Sequence, residues 1–169
     1  MHAPAPADAA ADLRAAVVTV SDRSAAGMRA DGGGPVAVEA LREAGFTCDE
    51  AAIVPDGADS VEGALRAAID AGARLIVTTG GTGIGPRDET PEGTARVIER
   101  AVPGIADELR RQSVAITPAG LLSRGIAGIA GTALIVNLPG SPKAVAEGMP
   151  VILGIAAHAL GQLTGEDHP

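Results

Sequence analysis

The run Gly80-Gly81-Thr82-Gly83-Ile84-Gly85-Pro86-Arg87-Asp88 brings two chemistries together in one loop. Its glycines remove side chains, so that backbone N–H groups can converge on an anion such as a phosphate. Its last residue is a carboxylate, and a second one, Asp56, closes the earlier segment Val54-Pro55-Asp56. Either aspartate alone would serve as well as a helix cap or turn residue. Side by side near a phosphate they form the oxygen set that Mg²⁺ takes, one or two carboxylates completed by phosphate oxygens and water. Arg87 and Arg124 are the cations available to phosphate oxygens. A glycine-rich turn of purely structural use stays open as the alternative for this loop.

Common phosphate motifs do not account for the run. Lys143 is the sole lysine, so GxxxxGK[ST] is absent, and Pro86 stands where GxGxxG needs its last glycine. Covalent chemistry fits no better. Ser141 is preceded by Gly140 but followed by Pro142, which is not a GxSxG nucleophile elbow. His158 lies in an apolar stretch without a carboxylate at ligand spacing, and His2 and His168 are in the tails. Cys48 reads as a small core residue.

The elements that must position these residues follow from hydrophobic periodicity. Residues 1–12 alternate Ala and Pro without an apolar face and read as a flexible tail; residues 166–169 are a second tail. Ala15 to Val20 reads as a buried strand. Ala37, Ala40, Leu41 and Ala44 mark a helix with Pro35 in its first turn and Gly45 as its stop. Thr47 to Val54 is expected to be one strand. A helix follows over Val61, Leu65 and Ile69, capped by Asp59 or Ser60 and closed by Gly72. Arg74 to Thr79 is the next strand. Pro91 opens a helix reaching Ala101, and Pro103 another to Ser113. Gly128 to Gly131 is a turn or short strand, Thr132 to Val136 a strand, and Pro142 to Leu163 a terminal helix. This alternation predicts a single α/β domain over residues 13–165, three-layered, with a mainly parallel sheet and helices on both faces.

Loops that follow helices are plain, whereas those that follow strands hold the unusual residues: Ser21-Asp22-Arg23, Pro55-Asp56, the glycine-rich run, and Asn137 to Pro142. In an open α/β sheet a ligand sits outside the carboxyl ends of the strands, so these loops should meet at one edge.

Composition narrows the partners. Thirteen basic against twenty-one acidic residues give a net charge of −8, and Phe46 is the only aromatic in 169 residues. Nucleic acid is excluded on both counts, since the chain repels phosphodiester backbones and cannot stack bases. The longest apolar run, Val151 to Leu160, is shorter than the roughly 20 residues of a membrane span, so no membrane association is expected. One cysteine and no signal-like start suggest a cytoplasmic protein.

The strings VTVSDRSAAG (Val18 to Gly27), VPD (Val54 to Asp56), TTGGTGIGPRDETPEGT (Thr78 to Thr94), PGIADELRRQS (Pro103 to Ser113), TPAGLLSRGIAGIAG (Thr117 to Gly131) and ALIVNLPGSPKAV (Ala133 to Val145) resemble the molybdenum cofactor biosynthesis proteins of the MogA/MoaB type. The resemblance spans about residues 14 to 165 and implies a trimeric α/β protein with molybdopterin adenylyltransferase activity. That reaction moves AMP from Mg²⁺-ATP to the terminal phosphate of molybdopterin and releases pyrophosphate. By position, Asp56 and Asp88 match essential aspartates tied to Mg²⁺ and nucleotide handling. Thr79, Gly80, Gly81, Thr82 and Gly83 match the loop at the nucleotide phosphates. Ser113, Ser123, Asn137, Pro139, Gly140 and Ser141 match the pterin pocket, and Arg124 beside Ser123 joins that expected set. Gly85 stands where the family often has alanine or serine, and Glu89 where it often has valine. A separate molybdenum-insertion protein is a possible partner. The rival readings are a non-catalytic molybdopterin-binding or scaffold member of the same fold, and a nucleotide-binding regulator; both aspartates favour the enzyme.

Overall fold

A computed structural model describes residues 13–165 of the chain; both tails lie outside the described residues. Strand β1 (Arg14–Val20) pairs in parallel with β4 (Leu75–Thr79), and β4 with β7 (Ala133–Leu138). These three form the centre of a sheet ordered β2 (Thr47–Cys48), β1, β4, β7, β6 (Ala127–Ala130), β5 (Arg100–Ala101), with β3 (Ala52–Val54) also paired to β1. β4 and β7 are buried along their whole length, as strands covered on both faces must be.

The two faces are distinct cores. Val17, Leu75, Val77, Leu134 and Val136 point to one side. They pack there against α2 (Gly33–Glu43), α5 (Pro103–Ile116) and α6 (Pro142–Leu163). Val18, Val20, Ile76 and Ile135 point to the other, against Val61 and Leu65 of α3 (Ala58–Asp70). Alternation along each strand thus sorts side chains between layers, and the expected mainly parallel α/β sheet with helices on both faces is the one observed. Cys48 is buried in the first core, and His158 is exposed on α6.

Four local expectations change. The single strand over Thr47 to Val54 is two: β2 (Thr47–Cys48) and β3 (Ala52–Val54) pair with opposite ends of β1. Between them Asp49 and Glu50 turn to solvent, beside Arg14 and Arg42, and a charged pair cannot continue a half-buried ladder. The helix expected from Pro91 to Ala101 stops early, as α4 (Thr90–Ala95), and Arg100–Ala101 becomes edge strand β5 against β6 (Ala127–Ala130). Gly128 permits that crossing, since a Cβ there would lie 2.6 Å from the Arg100 carbonyl. The third change is at α3, whose start is not capped by Asp59 or Ser60. The carboxylate of Glu89 accepts from the Ala58 N–H at 2.9 Å instead. Finally, α6 is helical over 22 residues and is long and apolar enough by length and composition to cross a membrane, contrary to the reading from its apolar run alone. Its buried residues Val145, Met149, Ile152, Ala156 and Leu160 fall on the face turned to the sheet, as in the core helix of an α/β layer.

Candidate active site

Strands β1, β4 and β7 end level with one another, Thr19 opposite Thr79 and Thr79 opposite Leu138. The loops beyond them touch through glycine. A Cβ on Gly80, whose φ is +93°, would lie 2.3 Å from the Val20 carbonyl oxygen, and one on Gly140 would lie 3.1 Å from the Gly80 Cα. A Cβ on Gly33 would lie 2.7 Å from the Gly140 oxygen. The result is a floor of main chain under a cleft of about 570 Å³. Thr90 fixes the turn above it: its hydroxyl donates to the Gly80 carbonyl at 2.8 Å, and its N–H donates to the Gly81 carbonyl at 3.1 Å.

Thr79, Gly80, Gly81, Asp56, Asp88, Gly140 and Ser141 all line this cleft. So do Gly32 at the start of α2 and Pro142 at the start of α6, which point two helix N-termini toward it. Ser141 Oγ accepts from the Ala144 N–H at 3.1 Å and so caps α6.

Asp56 and Asp22 bracket one another. The Asp22 N–H donates to Asp56 Oδ2 at 3.1 Å and the Asp56 N–H donates to Asp22 Oδ1 at 3.0 Å. Burial pushes the Asp56 carboxyl above its ordinary value against the pull of the Asp22 N–H, and the negative charges of Asp22 and Asp88 add to the rise. The Asp22 carboxyl is held low, chiefly by Arg87, whose guanidinium meets both its oxygens at 3.0 Å. Asp88 folds back over its own loop: Oδ2 accepts from the Gly85 N–H at 3.0 Å. It would stand 2.9 Å from a Cβ on Gly83 or on Gly85. Glycine at position 85 thus gives the carboxylate room that any side chain there would take.

Among the described residues no three His, Cys, Asp or Glu side chains are arranged to hold a metal. Two carboxylates opening on one polar cleft fit a cation that arrives with phosphate oxygens and keeps its waters, which is the habit of Mg²⁺.

The expected pterin residues divide. Ser113, Ser123, Asn137 and Pro139 line a second, narrow pocket of about 40 Å³ between α5, α6 and the end of β7, with Ser123, just past the 3₁₀ turn Pro118–Leu122, at its side. Gly140 and Ser141 belong to the larger cleft, so the Pro139-Gly140 peptide is the wall between the two. Asn137 is buried, and its amide is engaged: Nδ2 donates to the Thr78 and Thr94 hydroxyls at 2.9 and 3.0 Å, while Oδ1 accepts from the Ile126 N–H at 3.1 Å.

Arg124 lines neither depression. Its guanidinium donates to the Gly83 carbonyl at 2.8 Å and the Asp88 carbonyl at 2.7 Å, and pairs with Glu92, whose carboxyl it holds low. It staples the glycine loop rather than offering a free cation, and Thr82 is tied to it as well, through the Arg124 N–H. Neither Thr82 nor Gly83 lines the cleft.

Sequence reasoning missed the Arg29 to Gly32 edge of the cleft. Asp31 accepts from the Gly34 N–H at 3.0 Å and from the Thr19 hydroxyl at 2.6 Å. The signal was present, an aspartate two residues before the buried start of a helix opened by Gly32-Gly33-Gly34-Pro35.

Residues 16–158 match a family model described as "Probable molybdopterin binding domain". A molybdopterin adenylyltransferase of Escherichia coli K12 is 38% identical over 157 residues, covering 86% of this chain and 80% of that one. A bifunctional molybdenum cofactor biosynthesis protein of Synechococcus elongatus is 39% identical over 97% of this chain, but the match covers 51% of its own length. The chain thus spans about half the length of such bifunctional relatives. The structure of a molybdopterin biosynthesis Mog protein from Mycobacterium ulcerans superposes with a TM-score of 0.85 at 44% identity, covering 89% of this chain and 99% of that one. Sequence, motifs and fold agree over most of its length: the chain belongs to the MogA/MoaB family of molybdenum cofactor biosynthesis proteins.

Proposed function

We propose that the protein is a molybdopterin adenylyltransferase, transferring AMP from Mg²⁺-ATP to the terminal phosphate of molybdopterin with release of pyrophosphate. The observation that carries this reading is the shared wall at Pro139-Gly140. On one side lies a polar cleft with two carboxylates and a main-chain floor; on the other lies a pocket lined by Ser113, Ser123 and Leu109. Two substrates held in these depressions would bring their phosphates together over the turn.

In the reaction an oxygen of the pterin phosphate forms a bond to the α-phosphorus of ATP as the bond to pyrophosphate breaks. Such a step needs positioning and charge neutralisation more than a covalent nucleophile. The Gly81 amide and the N-termini of α2 and α6 would receive phosphate oxygens, the Gly80 N–H being held by the Leu138 carbonyl at 2.9 Å. Asp56 and Asp88 would hold Mg²⁺, which when bound neutralises phosphate charge. Ser113 and Ser123 orient the pterin. Homotrimeric assembly, a cytoplasmic location and hand-over to a molybdenum-insertion protein complete this reading.

The test is turnover with molybdopterin, ATP and Mg²⁺, beside the Asp88→Asn variant. Adenylylated pterin and pyrophosphate should form together, and the variant should bind pterin but lose most turnover. Pterin binding without any pyrophosphate release by the unaltered protein would instead identify a non-catalytic binding member of the family.

A further inference from the structure

Asp56 and Asp88 are carried by strands that do not touch. β3 leads to Asp56 and β4 to the Asp88 loop, and β1 runs between them. The ladders fix the strand ends through β1, but Asp88 stands in a loop well beyond Thr79, the last residue of β4, so they do not set where its carboxylate sits relative to Asp56. Something outside the sheet has to, and the two neighbours of Asp88 in sequence reach across to do so.

Arg87, one residue before Asp88, donates through a terminal guanidinium nitrogen to the Asp56 carbonyl at 3.0 Å. The same guanidinium grips the Asp22 carboxylate, which is hydrogen-bonded to the Asp56 N–H. Glu89, one residue after Asp88, accepts from the Ala58 N–H at 2.9 Å, two residues beyond Asp56. The loop bearing one carboxylate is thus strapped on both sides to the loop bearing the other, and Asp88 is left facing the cleft between the straps. The Arg87 contacts are exposed and add little to stability, so a role in geometry is the more economical reason for them; Glu89, besides capping α3, fixes the far side of the same loop.

We propose that Arg87 and Glu89 are positioning residues that hold Asp56 and Asp88 at the spacing at which both bind one divalent cation. This rests on the reading of the two aspartates as ligands of the cation that accompanies the nucleotide. Asp88 and Asp56 would touch the cation; Arg87 and Glu89 act only through them.

The experiment titrates Mn²⁺ into the full-length protein with a non-hydrolysable ATP analogue, following free Mn²⁺ by electron paramagnetic resonance. Far-UV circular dichroism checks the fold of each variant. Removing a group that orients a ligand typically weakens metal binding by roughly tenfold or more. Glu89→Ala and Arg87→Ala should each show about that loss, Glu89→Gln should restore most of it because its amide oxygen still accepts from Ala58, and pterin binding should not change. If Glu89→Ala is poorly folded, the contrast between Arg87→Ala and Arg87→Lys carries the same test. Unaltered Mn²⁺ binding in the alanine variants, with Asp88→Asn unable to bind, would overturn the positioning role and leave the aspartates as ligands. Unaltered binding in Asp88→Asn would overturn the ligand reading, and this inference with it.

Discussion

Asn137 lies directly opposite Thr78 in the β4–β7 ladder and donates its side-chain amide to the threonine hydroxyl at 2.9 Å. The same amide holds Thr94 of α4 and the N–H of Ile126, so one side chain ties two strands, a helix and the entry to β6. Replacing it with alanine strands buried polar groups, and Asn137→Ala is expected to cost about 2–4 kcal/mol. Urea unfolding measures this. A loss of turnover with the unfolding midpoint unmoved would instead mark the amide as a substrate contact.

Asp56 is expected to trade stability for function. Burial favours its protonated form, so its carboxyl titrates above the ordinary range in the folded state. The charged form then costs stability at every pH above that folded-state value, and the cost fades as pH falls through it. Asp56→Asn should melt above the unaltered protein at pH 7, with the gap closing on acidification, while turnover falls sharply. Calorimetry across pH reads both the sign and the closure.

Two glycines should respond in opposite directions. Gly80 combines a φ of +93° with a Cβ position 2.3 Å from the Val20 carbonyl oxygen. Gly80→Ala is therefore expected to fold poorly and, with it, to lose the nucleotide binding proposed for the cleft. Gly63 lies within α3, and nothing stands within 4 Å of its Cβ position. Gly63→Ala should add about 0.5–1 kcal/mol, a rise of roughly 1–4 °C in melting temperature.

Cys48 should be chemically quiet. Its thiol is 6% exposed and burial pushes its pKa up, beyond the opposing pull of Arg42. Reaction with a disulfide reagent is expected to be slower in the native protein than in guanidinium chloride by about a hundredfold or more, the factor set by a local opening of ~3 kcal/mol. Equal rates would mean that β2 frays freely at the sheet edge.

The sequence made legible what depends on neighbours along the chain. The runs Val17-Val18 and Leu75-Ile76-Val77 bury two faces and read as strands because their side chains alternate between two cores. Asp56 and Asp88 stood out because both follow strands, and both line one cleft. What escaped depends on partners far away. Glu89 caps α3 from 31 residues' distance. Arg124 binds the carbonyls of Gly83 and Asp88 across 41 and 36 residues, so it looked like a free cation until its partners were seen. Arg100 and Ala101 read as helix by local pattern, and only the unpaired edge of β6 draws them into the sheet.

The contact of Val20, Gly80, Gly140 and Gly33 leaves the base of the cleft composed of peptide groups. Peptide groups are the same whatever the side chains around them become. Under the proposed function, the choice of nucleotide would therefore be re-tuned mainly at the border, through side chains such as Ser24 and Arg29. Affinity for the proposed polyphosphate would, by contrast, be inherited with the backbone and be the last property that amino-acid substitution eroded.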